Sequence, residues 1–184
     1  SPSVLFKEIG LRLDWDLLPC NNAPRVLVAG CGTGQHAINT ACRFENSKVV
    51  AIDISTASLA YAKRKTEELE ISRIDYAHAD ILKLKTSEYQ FDIVESAGVL
   101  HHLPQPIQGL RILTQLLKPG GLIFLGLYSR SARKSISELR RSLTSFAVTQ
   151  TTESLRHHRQ QLLTNKHPAI DALVNWTDFY CTSE

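Results

Sequence analysis

Arg25-Val-Leu-Val-Ala-Gly-Cys-Gly-Thr-Gly-Gln-His36 decides the reading of this chain. Val26 to Ala29 is a short apolar run of the kind that forms a buried strand, and a helix opens at Gln35. Between them Gly30, Gly32 and Gly34 alternate, and glycine lets a backbone take positive φ and lets a ligand approach with no Cβ in the way. A strand, a glycine turn and a helix N-terminus in that order aim amide N–H groups and the positive end of a helix dipole into one crevice. The dinucleotide fingerprint is G-x-G-x-x-G. Here the third glycine arrives one residue early, and Gln35 stands where it would be.

Outward from this stretch the chain alternates. A strand over Lys48 to Ile52 ends at Asp53, Ser55 reads as an N-cap, and Thr56 to Leu69 reads as a helix. Ile74 to Ala77 is a weaker strand leading to His78-Ala-Asp80, and Phe91 to Glu95 is a fourth. Pro106 to Leu117 is helical, Lys118-Pro-Gly-Gly121 is a turn, and Leu122 to Leu127 is a fifth, apolar strand. The spacing of Leu5, Ile9, Leu13 and Leu17 predicts a further amphipathic helix over Val4 to Leu18. Alternation of this kind predicts an α/β fold: a Rossmann-like, doubly wound, mainly parallel sheet with helices on both faces. Ligands of such sheets bind beyond the carboxyl ends of the strands, where the glycines, Asp53 and Asp80 all fall.

The 184 residues carry 43% apolar and 21% charged side chains, ordinary values for a globular domain. No apolar run reaches the roughly 20 residues of a membrane span, and no basic-then-apolar signal layout opens the chain. Cys20, Cys31, Cys42 and Cys181 form no CxxC pair, so reduced thiols in the cytoplasm are expected, with no metal site. Residues 1–128 are expected to form the α/β core and 129–184 a helical, basic segment of the same domain. Eight Lys or Arg against Glu138 and Glu153 put residues 129–167 at +6, while the chain as a whole is at +3. Such a segment reads first as a solvated helical face; it could also recruit an anionic substrate, an acidic protein or nucleic acid. The absence of any Met, and an end just beyond Trp176, Phe179 and Tyr180, suggest a piece of a longer polypeptide.

The GxGxG spacing after a strand resembles that of class I S-adenosylmethionine-dependent methyltransferases. Two later stretches extend the resemblance: Phe91-Asp-Ile-Val-Glu-Ser-Ala-Gly-Val-Leu-His-His-Leu-Pro104 and Leu117-Lys-Pro-Gly-Gly-Leu-Ile-Phe124. Together the motifs cover about 100 residues, from Val26 to Leu127. A narrower likeness, in Ala29-Gly-Cys-Gly-Thr-Gly-Gln-His-Ala-Ile38, Gly126-Leu-Tyr-Ser129 and Asp178-Phe-Tyr180, is to methyltransferase domains appended to tetratricopeptide-repeat proteins. It implies a longer chain carrying protein-interaction repeats.

The resemblance implies S-adenosyl-L-methionine as cofactor and a pocket built from Ala29, Gly30, Cys31, Gly32, Gly34, Asp53, Ile54, Asp80, Ile81 and Ser96. Asp53 would accept hydrogen bonds from the ribose diol, and Asp80 would meet the exocyclic amine of adenine. Ile81 would pack on that ring or offer its amide, and Glu95 and Ser96 would line the pocket. His101 and His102 are the candidate catalytic bases, for an acceptor that must lose a proton; His36 reads as structural. The chain departs from the pattern at Val28, where most relatives carry an acid that supports the donor's ammonium group. The acceptor, a small molecule or a protein side chain, is not identified. The other readings are a non-catalytic donor-binding regulatory domain and, less favoured by the glycine spacing, an NAD(P)-dependent oxidoreductase.

Overall fold

The computed structural model describes residues 23–85, 90–129, 131, 134 and 152–164. The chain divides into two compact units, Ser1–Leu127 and Tyr128–Glu184. In the second, the helix Thr152–Thr164 is described, with Glu153 in its first turn, where an acid suits the helix dipole. The helix expected over Val4 to Leu18 lies outside the described residues, as does most of the basic segment.

The first unit is built on five strands, β1 (Arg25–Ala29), β2 (Lys48–Asp53), β3 (Ile74–His78), β4 (Phe91–Ala97) and β5 (Leu117–Gly126). They form one sheet in the order β3-β2-β1-β4-β5, and every neighbouring pair runs parallel. Three helices connect them: α1 (Gln35–Arg43), α2 (Thr56–Glu68) and α3 (Pro106–Gln115). Because side chains alternate along a strand, β1 feeds two cores. Val26 and Val28 join Val49, Ala51 and Ile93 under Ala37 and Ala41 of α1 and Leu59 of α2. Leu27 and Ala29 join Ile52 and Val94 under Ile112 and Leu113 of α3. The sheet is therefore doubly wound, with helices on both faces, and β1 reads as a continuous apolar run because both its faces are covered.

Element ends follow from local chemistry. Ser55 caps α2, its Oγ accepting from Ser58 N at 3.2 Å. Arg73 donates to the Ala41 carbonyl at 3.2 Å, near the negative end of α1. Two short 3-10 turns, Ile81–Lys83 and Leu100–His102, lie just beyond the carboxyl ends of β3 and β4; neither was expected from sequence. The expected turn at Lys118 to Gly121 falls inside β5, which starts at Leu117. Phe91 pairs with Leu117 and Ile93 with Leu122, so the intervening residues bulge out between two paired stretches. The bulge has a use: Lys118 Nζ reaches Asp92 Oδ1 at 2.7 Å. Asp92 is 1% exposed, and its other oxygen accepts from Arg25 N at 2.8 Å. One carboxylate thus ties β1, β4 and β5 at the edge of the sheet opposite the glycine loop.

Candidate donor-binding site

The glycine loop is fastened to β2 by two hydrogen bonds, Gly30 N and Cys31 N both donating to Ile52 O at 2.8 and 2.9 Å. Its three glycines, all at positive φ, have different reasons to be glycine. A side chain at Gly30 would run into Val99 in the loop after β4, and one at Gly34 would come within 2.6 Å of Ala62 Cβ on α2. These two are glycine because protein packs against them. Beside Gly32 (φ +53°) there is nothing within 4 Å. That open face is a cradle that a Cβ would fill, and it lies where the loop meets Asp53, whose Oδ2 accepts from Gly32 N at 2.8 Å.

Asp53 ends β2, and its Oδ1 accepts from Ser55 N at 2.9 Å. Each carboxylate oxygen has a second lone pair to offer. Next to it Ile54 is 67% exposed, a large apolar side chain at the edge of the crevice. Its carbonyl accepts from His78 Nε2 at 2.9 Å, so the end of β3 steadies the loop that carries Asp53. Sequence reading passed over His78, since a histidine ending a strand gives no sign of the carbonyl it will meet.

Asp80 caps the first 3-10 turn, with Oδ1 accepting from Leu82 N at 2.9 Å, while Oδ2 lies 3.9 Å from Lys83 Nζ. Of the two roles offered for Ile81, the side chain is taken by the core, being 5% exposed. Only its backbone is left to meet a ring. Ala29 is fully buried in the same core. Ser96 is also buried, and it lies on the opposite face of β4 from Glu95, so the two residues expected to line one pocket are separated by the sheet.

Glu95 is the residue whose position the sequence does not reveal. It pairs directly with Val28 across the β1–β4 ladder, on the face under α1. Thr40 Oγ1 donates to Glu95 Oε2 at 2.5 Å. His36 Nε2 lies 3.0 Å from the same oxygen, close enough for an ion pair but without hydrogen-bond alignment. The His36 ring stacks on Phe124 of β5, centroids 6.0 Å apart. A carboxylate therefore does stand at this level of the sheet, one strand over from where the sequence lacks it.

His101 and His102 form the second 3-10 turn, rings edge to face at 4.2 Å. Both ring nitrogens of His101 are shielded from solvent, while His102 is exposed.

A model of the methyltransferase-domain family matches residues 26–121. The chain belongs to this family. Among relatives of the methyltransferase domain, a ubiquinone biosynthesis O-methyltransferase from Dechloromonas aromatica is 33% identical over 138 residues, 72% of this chain and 58% of the relative. The 27-O-demethylrifamycin SV methyltransferase of Amycolatopsis mediterranei is 31% identical over 111 residues, 60% of this chain and 40% of the relative. PKMT2 from Rickettsia typhi, solved in complex with AdoHcy, shares the fold with a TM-score of 0.63 at 21% identity, over 90% of this chain and 35% of that one. The chain spans less than two thirds of the length of these relatives, 58% of the first and 40% of the second.

Within the methyltransferase domain's loop, Cys31 is 5% exposed. Burial first, then the nearby Asp53 charge, push its thiol from 9.0 up to about 11. The thiolate is the reactive form, so Cys31 is expected to resist iodoacetamide at pH 8 while the exposed Cys42 is modified. Peptide mapping of the alkylated chain checks this; rapid labelling of Cys31 in folded protein would contradict it. The linkage runs one way: the folded state favours the protonated thiol, so its contribution to stability is complete below pH 9 and is lost as pH rises to about 11. Among the described residues no group of three or more His, Cys, Asp or Glu could hold a metal ion. None of their helices is long and apolar enough to cross a membrane.

Proposed function

We propose that this chain is the donor-binding core of an S-adenosylmethionine-dependent methyltransferase acting on an acceptor still to be identified. The observation that carries the reading is the open face of Gly32 beside Asp53, at the carboxyl edge of the sheet, in a chain of this family. When bound, S-adenosylmethionine supplies a methyl group on a positively charged sulfur. The rest falls to the protein. Asp53 accepts hydrogen bonds from the ribose diol through the lone pairs that Gly32 and Ser55 leave free. Ile54 covers the apolar side of the nucleoside, and Asp80 Oδ2 takes the adenine amine. Holding acceptor and donor in line is the main catalytic contribution, and such alignment can supply roughly 7–11 kcal/mol.

For a hydroxyl acceptor, His102 is the base that takes the proton, since it is the exposed residue of the pair and both ring nitrogens of His101 are buried. Small-molecule acceptors are favoured by the O-methyltransferases among the relatives. The basic stretch between residues 129 and 167 favours an anionic one. We place the protein in the cytoplasm, with its cysteines reduced.

Asp53→Ala is expected to weaken binding of S-adenosylhomocysteine by roughly 1–3 kcal/mol, the worth of charge-assisted hydrogen bonds. Titration calorimetry reads this directly, and an unchanged dissociation constant would mean the ribose is held elsewhere. Labelled methyl transfer from S-adenosylmethionine into fractionated lysate tests the activity and identifies the acceptor. Saturable binding of NAD with none of S-adenosylhomocysteine would overturn the reading in favour of an oxidoreductase. Donor binding with no transfer to any fraction would leave the regulatory alternative.

A further inference from the structure

Glu95 poses an electrostatic problem that the domain alone does not solve. Its side chain is 4% exposed, and both of its described contacts, Thr40 and His36, fall on Oε2. Among the described residues no Lys or Arg pairs with it. A buried carboxylate without a full cationic partner is costly, so a permanent cation at this place would be strongly favoured. The helix that braces Glu95 is the one the glycine loop feeds. His36 and Thr40 stand in α1, whose N-cap is Gly34, with no side-chain cap and no acid in the first turn. The amides that begin α1 are thus served by no side chain and favour a negative group. A buried negative charge and an uncapped helix start, joined by one helix, match the two charges of an amino-acid zwitterion.

We propose that Glu95, braced by Thr40 and His36, supplies the negative charge that holds the ammonium of the donor's amino-acid end, from β4 rather than from β1. The β1–β4 register makes this specific, because Val28 and Glu95 are directly paired. An acid on either strand at this level would present its charge to the same neighbourhood. Glu95 is then a binding residue in its own right, and Val28 is no loss of function. This rests on the donor-site reading above.

The test compares two ligands that differ in the amino-acid end. S-adenosylhomocysteine carries it and 5′-methylthioadenosine does not. Calorimetry on the full chain is expected to show Glu95→Gln losing about tenfold or more in affinity for S-adenosylhomocysteine and less than about twofold for methylthioadenosine. Adding Val28→Asp to Glu95→Gln is expected to bring S-adenosylhomocysteine binding back to within about threefold of wild type. The double variant also serves if Glu95→Gln alone folds poorly, since it returns a carboxylate to the same level. Unchanged affinity of Glu95→Gln for S-adenosylhomocysteine overturns the proposal. So does an equal loss for both ligands, which would mark Glu95 as merely structural. If the wild-type chain binds methylthioadenosine and S-adenosylhomocysteine equally, the ammonium anchor fails while the nucleoside site stands. If it binds neither, the donor-site reading itself fails.

Discussion

Asp92→Ala is expected to remove about 3 kcal/mol of folding free energy, near the lower end of the loss for breaking a buried ion pair. Asp92 is 1% exposed and accepts from Arg25 N at 2.8 Å and Lys118 Nζ at 2.7 Å. Without it the Arg25 amide loses its acceptor and three strands lose a common tie. The upper end of the range is discounted because Lys118, 28% exposed, can turn to water. Asp92→Asn keeps one acceptor oxygen for the Arg25 amide but turns an NH2 donor toward Lys118, and should lose an intermediate amount, about 2 kcal/mol. Urea unfolding measures both, and a loss below about 1 kcal/mol for the alanine variant would mean the contact carries little. The tie is at the sheet edge away from the glycine loop. The folded fraction of Asp92→Ala should therefore bind S-adenosylhomocysteine within about twofold of wild type.

Gly32→Val is expected to abolish donor binding, raising the dissociation constant by about a hundredfold or more. Two costs combine. The backbone there is at φ +53°, a region that a β-branched residue adopts only under strain. The added side chain also fills the open face where the donor would lie. Gly34→Ala provides the contrast, because its Cβ would press on Ala62 rather than on a ligand. It should lower the midpoint of thermal unfolding, and the protein that remains folded should still bind. Full affinity in a folded Gly32→Val protein would refute the pocket assignment.

The fold was legible because parallel strands covered on both faces are written as short apolar runs. Val26 to Ala29 carries no polar side chain, and Phe91 to Val94 carries only Asp92. Pro119-Gly120-Gly121 was harder. The chain bulges there instead, with pairing to β4 on both sides, so a single strand with a bulge replaces a turn followed by a strand. The donor site divides the same way. Gly32 and Asp53 are announced by spacing, since each closes or follows a strand at a position set by the chain itself. Glu95 is not, because its meaning depends on Val28 and Thr40, which lie 67 and 55 positions earlier and reach it only through strand register and helix packing. The pairing of Ser96 with Glu95 was illegible for a related reason. Adjacent residues on a strand belong to opposite faces, so neighbours in sequence are not neighbours in a pocket.

The position of β1 also governs the order in which the molecule can be assembled. It is the middle strand of five, yet both of its partners are synthesised after it. The β2 partner follows within a few dozen residues, but the Arg25 amide waits 67 residues for Asp92. Until β4 emerges, a nascent chain holding β1, β2 and β3 carries the apolar face and unpaired edge of its own central strand. Such an edge is a template for wrong pairing, and a contact that closes so long a loop slows folding. The strand that builds the glycine crevice is thus also the one most in need of protection on the ribosome.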